Sequence, residues 1–171
     1  MEIKEELQLI EYAKAGDGDA FETLLKAYLP MMYKVAFSYV KSDEDAADVV
    51  QESILSCYES LSQLRKPQYF KTWLIRIVIN KSKDMFRQRG LSSEFEQEPE
   101  QGEFDSGYQE AEWKELLMGL DEKYREVILL HYLEGYSASE IGKLLRISRN
   151  TVLTRLSRGK KQLRNIVEFC L

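Results

Sequence analysis

The chain has 171 residues, with 24 Lys plus Arg against 29 Asp plus Glu for a formal charge of −5. Nine glycines and three prolines are too few for a turn-rich β architecture, and 11% aromatic content argues against disorder. No apolar run approaches the roughly 20 residues of a membrane-spanning helix. Cys57 and Cys170 lie far apart without Cys-x-x-Cys spacing, so neither a disulfide framework nor a zinc site is expected. The opening "MEIKEELQLI" carries acids where a signal peptide has a basic start, which predicts a cytoplasmic protein with no membrane insertion of its own.

Charge is sorted along the chain. Residues 42–59 hold six acids (Asp43, Glu44, Asp45, Asp48, Glu52, Glu59) and no base. Helical spacing over 43–64 places Ala47, Val50, Ile54, Cys57, Tyr58 and Leu61 on an inward stripe. A second stripe carries Asp45, Asp48, Glu52, Leu55 and Glu59, with Gln51 beside it. A solvated surface is the ordinary fate of such a face, and residue types alone name no partner for it.

The sign then reverses. Residues 65–89 hold eight bases (Arg65, Lys66, Lys71, Arg76, Lys81, Lys83, Arg87, Arg89) and only Asp84 against them. In "KTWLIRIVINKSKDMFRQR", Leu74, Ile77, Val78, Met85 and the stem of Lys81 are expected inward. Thr72, Arg76, Asn80, Lys83 and Arg87 share another stripe. Together with Tyr69, Phe70 and Trp73 this combines phosphate-binding charge with stacking surfaces, a mixture suited to single-stranded or distorted nucleic acid. Aromatics at helical spacing are more often core, so the basic residues carry that reading.

Residues 91–112 hold eight acids and no base. The stretch "GLSSEFEQEPEQGEFDSG" shows no helical period and reads as a flexible, self-repelling linker. The expectation is an all-α protein of two small helical modules, 1–89 and 108–171, joined by an acidic linker over 90–107.

The second module closes on a basic stretch, with eight bases and no acid over residues 141–164. Asp121 is placed to cap a helix with Tyr124, Val127, Ile128 and Leu130 inward, ending near Gly135. Ser137 and Glu140 have capping-box spacing and open a short helix with Ile141, Leu144 and Leu145 inward. After the tight "RIS" connection, Ser148 caps a last helix that buries Val152, Leu156 and Leu163. Two short helices on a three-residue turn, the second one basic, form a helix-turn-helix pattern. A recognition helix sets its N-terminal residues against base edges in the major groove, here Arg149, Asn150, Thr151 and Thr154. Arg155, Arg158, Lys160 and Lys161 are better placed for phosphates. Gly159 stands inside this helix at a cost of about 1 kcal/mol relative to alanine. Either close packing or fraying accounts for it.

Three stretches, "DAADVVQESIL", "YFKTWLIRIVINKSKDMFR" and "YSASEIGKLLRISRNTVLTRLSRGKKQLR", occur in this order and together resemble the extracytoplasmic-function (ECF) group of sigma-70-family RNA polymerase sigma factors. The resemblance covers nearly the whole chain and implies that the modules are sigma regions 2 and 4. It implies that Asp45, Asp48, Gln51, Glu52 and Leu55 dock on the clamp coiled coil of core RNA polymerase, with the flap as a further contact. It assigns the melted −10 promoter element to Arg65, Lys66, Tyr69, Phe70, Trp73, Arg76, Asn80, Lys83 and Arg87. It assigns the −35 element to Ser148, Arg149, Asn150, Thr151, Thr154, Arg155, Arg158 and Lys161. An anti-sigma factor is a further implied partner. Two positions depart from the family's habit: Leu153 stands where a lysine is frequent, and Gly159 where alanine is usual. Leu153 thus means either one phosphate contact fewer or a contact with a thymine methyl.

Against an enzyme stand the absence of a glycine-rich phosphate loop and the single histidine, His131, in an apolar setting that suits a structural role. No cofactor, metal or catalytic residue is expected. Two other classes compete with the sigma reading: a stand-alone helix-turn-helix regulator on duplex operator DNA, and a helical interaction protein whose basic faces meet acidic partners. The "DAADVVQESIL" face separates them, because only a sigma factor requires it to bind polymerase.

Overall fold

The computed structural model describes residues 2–90 and 109–170. All of its regular elements are helical. The acidic linker expected over 90–107 lies, Gly90 apart, outside the described residues. The chain divides into two compact units, Met1–Glu98 and Pro99–Leu171, each described here by itself.

In the first unit, α1 (Ile3–Lys14) opens on a reciprocal box between Glu2 and Glu5. Gly16 turns the chain at φ +96°, a conformation that costs glycine little. The Asp17 carboxylate then accepts the Ala20 N–H at 3.0 Å and starts α2 (Gly18–Val40). This is the central helix, packed by α1, α3 and α4, and it buries Leu24, Met32, Val35 and Ala36 among others. It ends on Lys41 in the left-handed region, φ +56°, whose N–H reaches the Phe37 carbonyl at 2.9 Å. Ser42 follows at once as the cap of α3 (Asp43–Ser60), its Oγ accepting the Asp45 N–H at 3.3 Å. Such a cap contributes about 1 kcal/mol.

α3 is covered on two sides, by α2 and by α4 (Phe70–Gly90), and this changes which residues are inside. The buried set is Asp45, Ala46, Val49, Val50, Ser53, Cys57 and Leu61, whereas Tyr58, expected inward, is exposed. Ala47 and Ile54 are only half-buried. Two flanking helices demand a wider buried arc, and small side chains let the backbones approach. Ser53 satisfies its hydroxyl on the Val49 carbonyl at 2.7 Å, and Ser82 of α4 does the same on Val78 at 2.8 Å. A hydroxyl bonded within its own helix is hidden at little cost.

On α4 the fully covered residues are Phe70, Leu74, Ile75, Val78, Ile79 and Ser82. Each large apolar one contributes about 1.5–3 kcal/mol relative to exposure. Leu74 and Val78 are where the sequence puts them, while Ile77, Lys81 and Met85 are half-buried at the margin.

The second unit starts with α5 (Gln109–Met118) and turns at Gly119 into α6 (Glu122–Ile128). Asp121 occupies the cap position but makes no side-chain cap; its Oδ2 accepts from Gln162 Nε2 at 3.0 Å, and its N–H donates to Gln162 Oε1 at 3.3 Å. That reciprocal pair fastens the start of α6 to the last helix. α6 widens into a single π turn over Leu129–Leu133, and Gly135 (φ +76°) releases the chain. His131 Nδ1 lies 2.7 Å from the Tyr136 carbonyl, which only accepts, so the ring donates there and closes this turn. α7 (Ala138–Leu145) and α8 (Arg149–Cys170) complete the unit, both packed on the α6 segment or on each other.

Candidate nucleic-acid interface

The geometry of α7 and α8 follows from a few local bonds. Ser137 Oγ accepts the Glu140 N–H at 3.3 Å while the Glu140 carboxylate accepts the Ser137 N–H at 2.8 Å, which is the expected capping box. The Ser137 hydroxyl, donating to the Glu140 carboxylate at 2.7 Å, and then the Ser137 N–H hold that carboxyl below the usual glutamate range. Arg146 ends α7 at φ +57°, and the Ile147 N–H closes back on the Gly142 carbonyl at 3.0 Å. The turn is tight: a Cβ on Gly142 would meet the Ile147 carbonyl oxygen at 2.8 Å. Ser148 Oγ then accepts the Thr151 N–H at 3.0 Å and starts α8.

Val152 and Leu156 point α8 into the core, as expected, whereas Leu163 is half-buried. Gly159 is a close-packing site. A Cβ there would lie 2.9 Å from Ile128 Cγ1 and 3.2 Å from Tyr124 Cβ, so α6 and α8 touch where the glycine leaves room. With that face fixed, Ser148, Arg149, Asn150, Leu153, Thr154, Arg158, Lys160 and Lys161 are left exposed, and Thr151 half-exposed. Between α6 and α8 runs an open groove of about 310 Å³ lined by Lys123, Tyr124, Asn150, Thr151, Thr154, Arg155 and Arg158. Most of the expected −35 residues therefore share one surface. Lys123 joins them unexpectedly, its ammonium 5.0 Å from the Tyr124 ring centroid. In the sequence it hides among Asp121, Glu122 and Glu126.

Arg155 differs from its neighbours. Its Nη1 lies 3.1 Å from Glu126 Oε1, and both side chains are largely covered. The arginine ties α8 to α6 and its charge is already balanced. Arg158→Ala is therefore expected to leave the melting temperature unchanged and to reduce the salt dependence of promoter binding by about 0.9 in log–log slope. Arg155→Ala is expected to lower the melting temperature; equal melting of the two variants, followed by circular dichroism, would remove that tie.

In the first unit the acidic face of α3 is real but smaller than expected. Asp48, Gln51, Glu52 and Leu55 are exposed together, Leu55 at 64%. Asp45 is not part of this surface. It is 2% exposed, and its carboxylate is ion-paired with Arg89 at the end of α4. A carboxylate at that depth needs such a partner. Glu52 reaches toward Lys81 at 3.9 Å, a contact that is worth little at this exposure.

The basic helix α4 exposes Arg76, Asn80 and Arg87, with Thr72, Trp73 and Lys83 half-buried. Arg65 and Lys66 are exposed before it, and Lys66 Nζ sits 5.9 Å from the centroid of the exposed Tyr69 ring. Phe70 corrects the expectation: it is 0% exposed, edge-on to Tyr28 at 5.4 Å and tilted on Trp73 at 5.9 Å. It is core, offers no face to a base, and serves by supporting Trp73. The Cys57 thiol is buried and pushed up to about 12 by desolvation, so it is no nucleophile. Among the described residues no cluster of three or more metal-ligating side chains occurs. None of the described helices is long and apolar enough to cross a membrane.

Residues 24–91 match the family described as Sigma-70 region 2, and residues 110–163 match Sigma-70, region 4. The chain is 31% identical over 178 residues to the ECF RNA polymerase sigma-E factor of Salmonella typhimurium, covering 94% of this chain and 93% of that one. The chain belongs to the ECF group of the sigma-70 family. This sigma factor is also 34% identical over 136 residues to the RNA polymerase sigma factor SigV of Bacillus subtilis, covering 77% and 81% of the two chains. Among solved structures, CnrH in complex with the cytosolic domain of CnrY aligns at a TM-score of 0.70 and 26% identity, covering 96% of this sigma factor and 97% of that chain. RpoE of Bartonella quintana, solved with the anti-sigma factor NepR, has a TM-score of 0.73 at 21% identity over 86% and 96% of the chains, a likeness of fold. As an ECF member the protein is an alternative sigma factor for RNA polymerase.

Proposed function

We propose that this sigma factor binds core RNA polymerase through the exposed α3 face of Asp48, Gln51, Glu52 and Leu55, and selects promoters with both units. An acidic face with one prominent leucine suits a basic partner surface, and the family resemblance names the clamp coiled coil for it. The flap is the further polymerase contact that the family resemblance implies. In the first unit Arg65, Lys66, Tyr69, Trp73, Arg76, Asn80, Lys83 and Arg87 hold the opened −10 element, the charges on phosphates and the ring of Tyr69 against an unpaired base. In the second, Ser148, Arg149, Asn150, Thr151, Thr154, Arg158 and Lys161 address the −35 duplex, with Arg155 acting from its tie to Glu126. The bond-making chemistry belongs to the polymerase.

The observation that carries this reading is the capped α7–α8 pair, with the exposed residues in the N-terminal half of α8 free of acids and, Leu153 apart, polar. The relation to CnrH, solved in complex with the cytosolic domain of CnrY, supports a protein partner for this chain, which we assign as an anti-sigma factor.

Run-off transcription with purified core polymerase on a library of random promoters tests the reading. Transcripts are expected only when the protein is added, and their start sites define both elements. Asp48→Arg is expected to weaken co-purification with core about tenfold by placing like charge at the contact. No transcripts together with no core binding would instead make the protein a stand-alone operator-binding regulator.

A further inference from the structure

Among the described residues of α8, Leu153 is the one large apolar side chain left exposed, at 40%. Its neighbour Val152 is fully buried and Leu156 nearly so, which fixes the rotation of the helix. Successive residues turn by about 100°, so Leu153 lies on the outer flank with Arg149, one turn earlier, and Ser157, one turn later. All three are exposed. The groove toward α6 lies on the opposite flank and does not include Leu153. An exposed leucine at this point serves no packing purpose in the unit, yet it sits within the first turns of a recognition helix, between polar residues that address DNA.

Base edges in the major groove are polar with one exception, the C5-methyl group of thymine. A leucine brought against a base edge has that single favourable partner, while a phosphate or an exocyclic amine would lose water against it. We propose that Leu153 is a specificity-determining residue of the −35 contact that reads a thymine by its methyl group. Arg149 precedes it by four residues, about 6 Å along the helix axis at about 1.5 Å per residue. The thymine therefore lies close to the position that Arg149 reaches. A guanine is the natural partner for Arg149 there, through O6 and N7.

The inference rests on the proposed entry of α8 into the major groove, and the test separates the two. Holoenzyme is assembled on a promoter chosen by the run-off selection, and each thymine of the −35 element is replaced singly by deoxyuridine, which removes only the methyl group. Binding is measured for the wild type, Leu153→Ala and Leu153→Met. One position is expected to lose about threefold to fourfold in affinity in the wild type, the effect of one buried methyl group. Leu153→Ala should bind thymine and uracil there equally, Leu153→Met should retain part of the preference, and the melting temperatures of all three should coincide. A uracil scan that is flat in the wild type, or that is unchanged in Leu153→Ala, overturns the thymine reading and leaves −35 recognition standing. If scrambling the whole −35 element has no effect on the wild type, α8 is not the reading helix and both fall.

Discussion

Replacing Arg125 by methionine is expected to destabilise the second unit by about 3 kcal/mol, a loss comparable to truncating a large core side chain. Arg125 is 1% exposed, a depth at which an arginine persists only if its donors are taken up. Its Nε donates to the Leu117 carbonyl at 2.7 Å and its Nη2 to the Leu120 carbonyl at 2.6 Å. These oxygens belong to the end of α5 and the turn before α6, where a helix leaves its last carbonyls without partners of its own. The guanidinium supplies them and sets the approach of α5 to α6. Burial lowers its pKa, opposed by the nearby Glu122 and Asp121, yet an arginine stays charged at neutral pH. Methionine preserves the volume but takes the guanidinium from the Leu120 carbonyl and leaves the Leu117 carbonyl with the Leu120 N–H alone, at 3.1 Å. Lysine restores the charge without the fork and is expected to recover less than half of the loss. Denaturant unfolding of the full chain, with amide exchange to localise the effect, reads both variants. A methionine variant within about 0.5 kcal/mol of the wild type, the range of an ordinary surface substitution, would mean that these carbonyls do not need the guanidinium.

Gly142→Ala is expected to cost about 1–3 kcal/mol although alanine is the better helix former by about 1 kcal/mol. The obstacle is a backbone atom: the new Cβ would stand 2.8 Å from the Ile147 carbonyl oxygen. A side chain could swing away; a carbonyl in a three-residue turn takes the turn with it. The Ile147 N–H bond to the Gly142 carbonyl, 3.0 Å, spans the same turn and is strained by any opening. Because that turn sets the angle between α7 and α8, promoter binding should fall further than the stability loss alone explains. A melting temperature lowered by about 5–15 °C together with weakened −35-dependent binding is the expected pair of results. Normal binding at the wild-type melting temperature would show that the turn has slack.

Gly159 shows why such glycines resist a reading from sequence. Its cost inside a helix is visible there, but its reason lies in Ile128 and Tyr124, some thirty residues earlier, and only the crossing of α6 and α8 brings them together. The same holds for Glu126 and Lys123, which sit in a stretch of mixed charge and gain meaning only beside α8. Phe70 and Trp73 are alike on a helical wheel. One is core and the other half-exposed because Tyr28 of α2 lies against Phe70.

What could be read without coordinates was whatever is decided within one turn of chain or by charge alone. The caps at Ser137 and Ser148, the three-residue connection between α7 and α8, the inward Val152 and Leu156, the all-helical character and the alternation of acidic and basic faces all belong to this class. Each depends on a hydrogen bond to a residue three positions away, on apolar spacing along one helix, on residue propensity, or on a charge that no packing removes. What only the assembled units decided was the breadth of each buried face. Asp45 belongs to the acidic stripe expected at the surface, and Ser53, Ser82 and Arg125 are of residue types that mostly lie there, yet all four are buried. The reason is common to them: α3 and α4 are each covered on more than one side, and α8 closes over the α5–α6 junction. A polar group is hidden wherever its own helix, a carbonyl or an opposite charge satisfies it. Those partners lie four residues away for the serines, up to eight for Arg125, and forty-four for Asp45, which meets Arg89 only once the first unit has folded.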